Sequence, residues 1–460
     1  MRRPYKTPIV KASPDINTPE PKVSKLVVVL LKLLMRLYLF IFMGVAKIVM
    51  QGDRHLLDAF ERALSGKSRC ILAFRHPNGG EPQLLTWFFL FKLRKLAAKK
   101  GVHFVRRPHS VFVYSYDVVL WGGWVSRLIM PGLGAMPIYH AKLDSKSMGR
   151  IFDAIIDGPY PLALAPEGKV SYMTDYVPKL EQGVIRIGFQ AAERLAEKNA
   201  DCPLEILPLS VHFRFGSWGH FTLEWLLRKI EKNCGFPRRG RRKMLFTERV
   251  RQCMDHVLKA NEARYRLKVA PADGDIALTF EKRLETIAFA GLETAEGMMG
   301  ARNDGDALTR MHRVNQMCWD RIFIPGVKDF RGNSQVELGT MDLQAGEAWY
   351  AGRHIGMMEL CWYFRVPLPQ DNATLHEKVE YAQNLWDFAS RSTGGEYKNR
   401  VNIFPRRVIL QFAPVINLSE RLPAYKNDKK NTIATTLSDL EQSYRNCINT
   451  VAEVRDFFDK

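Results

Sequence analysis

The sequence predicts an α/β sandwich with a mostly parallel sheet, and three observations carry that expectation. Short apolar runs of strand length alternate with longer stretches of helical periodicity from about residue 69 to residue 216, as strands covered by helices require. Two of those runs, Ile71-Leu72-Ala73-Phe74 and the one ending at Ala165, stop in turns rich in Gly and Pro that carry ionisable side chains. Near the C-terminus the pattern returns. Arg407 to Ala413 alternates like a strand, and Ile433, Leu437, Leu440, Tyr444, Cys447, Val451 and Val454 trace one helix face.

Taken in order, residues 1–22 hold Pro4, Pro8, Pro14, Pro19 and Pro21 and read as a flexible tail. Residues 23–50 are almost wholly apolar, broken by Lys25, Lys32, Arg36 and Lys47. At 100° per residue these four charges share a stripe roughly 60° wide. A membrane-spanning helix needs about 20 apolar residues without buried charge. One basic stripe instead suits an amphipathic helix lying in the plane of an anionic membrane surface. A bundle helix packed on the domain is the alternative. No small-residue cleavage site follows a short apolar core, so a cleavable signal peptide is not expected.

Residues 51–226 form the α/β core. Strands are expected at Cys70 to Phe74, Val102 to Val105, Ser110 to Tyr114, Tyr160 to Ala165 and Leu204 to Phe215. Helices are expected at Gln83 to Lys100, Val118 to Met130, Ser145 to Asp157 and Pro178 to Lys198. Residues 227–400 are dominated by helical periodicity, as in Phe280, Leu284, Ile287 and Gly291. They read as a helical insertion between the last strands, or alternatively as a separate C-terminal domain. Residues 401–460 then supply a final strand and helix that complete the core.

Composition sets the partners. A net charge of +20 calls for anionic surfaces. The basic run Pro237 to Lys243 has no interleaved aromatics for base stacking, so it reads as a solvated loop and no nucleic acid is expected. Seven scattered cysteines without a C-x-x-C pair argue for a reducing compartment and against structural zinc, so no metal is expected. Ser65-Gly66-Lys67-Ser68 imitates the end of a P-loop, but Glu61 occupies the upstream glycine position.

Chemistry gathers after two strands. Arg75-His76-Pro77-Asn78-Gly79-Gly80-Glu81 places a His and a carboxylate five positions apart. On a regular helix such residues diverge by roughly 140°. Pro77, Gly79 and Gly80 prevent that helix and let Glu81 fold back onto one imidazole nitrogen, leaving the other for substrate. Such a pair is a general base able to deprotonate a hydroxyl at neutral pH. Backbone N–H groups at the Gly79-Gly80 bend are candidates to steady an oxyanion. The same spacing recurs in His354 to Glu359, but within a helical stretch where the side chains should part. Ala165-Pro166-Glu167-Gly168-Lys169 brings a second carboxylate to the same strand edge.

These segments resemble motifs of the glycerolipid acyltransferases typified by 1-acyl-sn-glycerol-3-phosphate acyltransferase. The H-x4-D block corresponds to His76–Glu81, with Glu in place of Asp. Gly134-Ala135-Met136-Pro137-Ile138-Tyr139-His140 resembles the second block, Ala165 to Lys169 the Pro-Glu-Gly block, and Ile206 to Val211 the following strand. Order and spacing match over roughly residues 55 to 216, and Pro414-Val415-Ile416-Asn417 resembles a stretch near the end of that fold.

The resemblance implies catalytic His76 and Glu81, with acceptor binding by Arg75, His140, Glu167, Gly168 and Lys169. His140 and Lys169-Val170 replace residues from which phosphate binding would be expected, and neither reproduces the bidentate fork of arginine. Arg106, Arg107, Arg75 and Lys169 remain as point charges. The function implied is phospholipid biosynthesis on the cytoplasmic face of a membrane by a peripheral or monotopic acyltransferase. It would move a fatty acyl group from acyl-CoA or acyl-carrier protein to a lysophospholipid or related glycerolipid hydroxyl, without a cofactor. A non-phosphate lipid acceptor, or a catalytically lapsed lipid-binding protein of the same fold, are the alternatives.

Overall fold

The computed structural model describes residues 10–16, 19–116, 118, 123–139, 145–198, 201–237, 239–267, 276–392, 400–403 and 405–453. They divide into two compact units. One takes in Thr18–Ile138, Asp144–Gly219 and Asn402–Lys460; the other is mainly His220–Val401.

The first unit is built on strands β1 (Val45–Gln51), β2 (Arg69–Phe74), β3 (Val111–Ser115), β4 (Met136–Ile138), β5 (Leu162–Leu164), β6 (Leu204–Phe215), β7 (Arg406–Phe412) and β8 (Ile416–Asn417). Among the described residues they form one eight-stranded sheet ordered β1-β7-β6-β2-β5-β3-β4, with β8 also paired to β6. β6, β2, β5, β3 and β4 run parallel to one another, while β7 and β8 are antiparallel to β6. β6 is buried over all but its last residue, which explains its near-continuous apolar character. Pro208 sits where this ladder changes partner, between Ile206 opposite Ile416 and Leu209 opposite Phe412, so its missing N–H is tolerated there.

Helices cover both faces. α1 (Lys25–Ile41) precedes β1, and α2 (Asp53–Ser65) packs on β2, β6 and β7. α3 (Glu81–Phe88) continues through a π turn at Phe89–Leu93 into α4 (Arg94–Lys99). α5 (Gly123–Gly132), α6 (Ser145–Ile156) and α7 (Gly183–Lys198) follow. On one face Ile71, Ala73, Leu204 and Ile206 pack with Ile185, Phe189, Leu440 and Tyr444 in a single core. The last of these come from α7 and a C-terminal helix at Lys429–Glu453.

The segment expected as one helix over residues 23–50 is corrected. The helix ends at Ile41, Gly44 takes a positive φ of 66°, and the chain then enters β1, which pairs in parallel with β7. Lys47 therefore lies on an edge strand and not on the helical stripe. Residues 102–105, expected as strand, are loop. α1 packs one narrow stripe, Val28, Leu31, Met35 and Leu39, onto α3, α5 and β1. Opposite it, Leu26, Val29, Leu33, Leu34, Leu37 and Phe40 are each more than half exposed. Among the described residues no helix is long and apolar enough to cross a membrane.

The second unit contains α8 (Trp218–Asn233, from His220 onward), α9 (Phe246–Arg264), α10 (Ile276–Met299), α11 (Ala307–Ile322), α12 (Gln335–Trp362) and α13 (Leu375–Ser392). α10 and α11 pack on α12, burying Ile287, Leu292 and Ala295 together with Ala345, Ala348 and Ile355. Buried arginines in this unit are paired: Arg249 with Glu231, and Arg283 with Glu262. The chain then rejoins the sheet at β7, followed by α14 (Leu422–Asn427) and α15 (Lys429–Glu453).

Candidate active site

β2 and β5 are adjacent parallel strands, so the turns leaving them meet at one edge of the sheet. After Phe74 the chain reverses through Pro77 and Gly79, the latter at φ 91°, and enters α3 at Glu81. The Met43 side chain lies against Gly80: an added Cβ would come 2.1 Å from Met43 Cε, so a larger residue there would have to displace the thioether end. The reversal brings His76 Nδ1 to 2.7 Å from Glu81 Oε2. Glu81 is fully buried, whereas the His76 side chain is 18 % exposed. With Nδ1–H donating to the carboxylate, Nε2 carries the lone pair. No hydrogen bond among the described residues engages it.

Burial disfavours the imidazolium, but the charge and hydrogen bond of Glu81 and the charge of Glu167 outweigh it. The His76 pKa is raised above its ordinary value. Gly79 N–H donates to Glu81 Oε2 at 2.9 Å, so it is committed to the carboxylate. That corrects the expectation that it serves an oxyanion.

Two further expectations are corrected by burial. Arg75 is wholly inaccessible, and its Nε donates to Glu167 Oε1 at 3.2 Å. Its remaining donors hold the carbonyls of Thr174 at 2.6 Å, Met173 at 3.2 Å and Tyr176. Glu167 is equally enclosed, and its Oε2 accepts from the His76 backbone N–H at 3.1 Å. Desolvation raises the Glu167 pKa against the opposing charges of Arg75 and His76. Neither side chain is placed to meet an acceptor. Each lies on the inward side of the turn because the ion pair satisfies both in a dry environment.

Gly168 adopts φ 67° and Lys169 is half-buried. His140 lies outside the described residues. Lys25 and Lys32 are exposed on α1. Arg36 is used differently, donating to Val45 O at 2.7 Å and Ala46 O at 2.9 Å, so it ties α1 to β1. His354, the partner in the repeated spacing, meets Tyr265 OH through Nδ1 at 2.9 Å within the helical unit.

Sequence reasoning missed a second layer beneath the turns. His212 and Arg214 of β6 both hold Asp175, at 3.0 Å each. Tyr444 of α15 donates its hydroxyl to Ala73 O at 2.9 Å. The signal was present in the alternation Ser210, His212, Arg214 along an otherwise apolar strand, since period two puts all three on one face. Comparison of the chain with family models, curated proteins and solved structures returned no match.

Proposed function

We propose that this protein is a peripheral membrane acyltransferase, moving a fatty acyl group from an acyl thioester to a lipid hydroxyl. The observation that carries the reading is the His76–Glu81 pair: a buried carboxylate on Nδ1 at 2.7 Å, with a partly exposed imidazole whose Nε2 meets no hydrogen-bond partner among the described residues. Nε2 takes the acceptor proton as the oxygen attacks the thioester carbonyl, and Glu81 stabilises the imidazolium that forms. Collapse of the tetrahedral intermediate breaks the C–S bond while the C–O bond remains, and His76 returns the proton to the leaving thiolate. The resemblance of the surrounding turns to glycerolipid acyltransferase motifs supports the same chemistry.

The exposed apolar face of α1, bordered by Lys25 and Lys32, supports docking on an anionic membrane surface. A second reading, with a neutral lipid acceptor in place of a lysophospholipid, draws on the burial of Arg75. That burial removes one of the three arginines available to meet a phosphate, leaving Arg106 and Arg107 exposed.

The test uses purified protein, a labelled acyl thioester and a panel of lysophospholipids and neutral glycerolipids, resolved by lipid chromatography. Acylation of at least one acceptor is expected, falling about 10²–10⁴-fold in His76→Ala with the fold retained by circular dichroism. No acylated product, or wild-type turnover in His76→Ala, overturns the reading.

A further inference from the structure

We infer that Glu167 is a positioning residue for His76, acting on its main chain from inside the fold rather than on the acceptor. This rests on the reading of His76 as the base. His76 lies two residues past the end of β2, beyond the paired strand. Both of its backbone polar groups are held instead by the turn that leaves β5. Glu167 Oε2 accepts from His76 N–H at 3.1 Å, and Ser171 N–H donates to His76 O at 3.0 Å.

The turn is itself over-determined. Gly168 N–H bonds Ala165 O at 3.2 Å, and Glu181 N–H bonds Pro166 O at 2.7 Å. Gly168 holds a φ of 67°, a conformation in which any side chain would be strained. Arg75, the residue before His76, fixes the other carboxylate oxygen and the three carbonyls that follow the turn. The imidazole therefore pivots on a peptide anchored at both ends, and its reach toward a hydroxyl is set by Glu167. A displacement of about 1 Å in such a group costs roughly 100-fold in rate. The buried negative charge also favours the imidazolium formed as the acceptor loses its proton.

Two variants separate this role from head-group binding. Glu167→Gln keeps the length and removes the charge, with one acceptor oxygen replaced by an NH2 group that must face either Arg75 Nε–H or the His76 N–H. Glu167→Asp keeps the charge and withdraws the oxygen from the His76 N–H. For Glu167→Gln the acid limb of kcat/KM should move to lower pH, and the His76 imidazole should titrate lower by NMR, a readout that needs no turnover. For Glu167→Asp, kcat should fall about 100-fold with acceptor KM within about twofold of wild type. A raised acceptor KM with unchanged kcat, or an unmoved His76 titration, overturns the inference. Should Glu167→Gln fail to fold beside the buried Arg75, the kcat and KM of Glu167→Asp decide it. Failure of wild-type transfer is a different result: it removes the acyltransferase reading while the NMR titration still judges the role of Glu167.

Discussion

At the scale of the residue, His76 and Glu81 were legible because both lie in one short bend whose glycines and proline announce its shape. The raised pKa of His76 has a definite sign in kinetics. A base must be unprotonated to act, so kcat/KM should rise with pH through a midpoint above the ordinary value of about 6.5. Glu81→Gln should lower that midpoint, since burial then acts against a weaker partner, while Glu81→Asp should largely keep it. An identical pH profile in wild type and Glu81→Gln would detach the carboxylate from the base. Arg75 and Glu167 were misjudged because a sequence does not say which side of a turn faces inward. His212 illustrates the same gap. Burial, ahead of the opposing bond to Asp175, pushes its pKa down to about 4. It stays neutral in the fold but takes a proton in the unfolded chain below about pH 6.5. Stability should be full above that pH and decline as pH falls toward 4, by roughly 3 kcal/mol. Urea midpoints at pH 7 and 4.5 should differ less in His212→Asn than in wild type. An equal drop in both would assign the acid sensitivity elsewhere.

At the scale of the element, α1 and β1 show what periodicity reveals and hides. Of the four charges expected on one helical stripe, Lys25, Lys32 and Arg36 lie on α1 and Lys47 lies on β1. Val45 to Met50 is apolar too, and a short apolar run does not distinguish a strand from more helix. Gly44 was the available signal for the break. At 1.5 Å per residue the helix is about 25 Å long, and it packs only one stripe on its own unit. Lys25→Gln with Lys32→Gln should weaken sedimentation with anionic vesicles, since each basic residue contributes about 1 kcal/mol near such a surface. The residual binding should respond less to salt. Leu33→Asp with Leu37→Asp should remove binding at every salt concentration, because those side chains lie on the exposed face. Wild-type sedimentation by the double aspartate variant would take the membrane off this helix.

At the scale of the whole molecule, the alternation of strands and helices was readable, and so was the return to strand after the helical stretch. The order of the strands was not, because it depends on pairings across almost the full chain. β7 lies between β1 and β6, so a strand from the last sixty residues joins one from the first fifty-one to the centre of the sheet. Such non-local pairing must wait for both ends of the chain. β6 is buried along its length, and β7 covers its edge from Leu209 to Phe215. A chain ending at Val401 would leave that apolar edge unpaired, a template for aggregation. It would also lack Tyr444, whose hydroxyl reaches Ala73 on the strand that leads to His76. The truncated chain should therefore be largely insoluble, and co-expression of Asn402–Lys460 should restore soluble protein that co-purifies as a complex. Recovery of soluble truncated chain with a cooperative thermal transition would mean that the sheet closes without β7. The two ends of the sequence would then be accessories to the site and not part of its foundation.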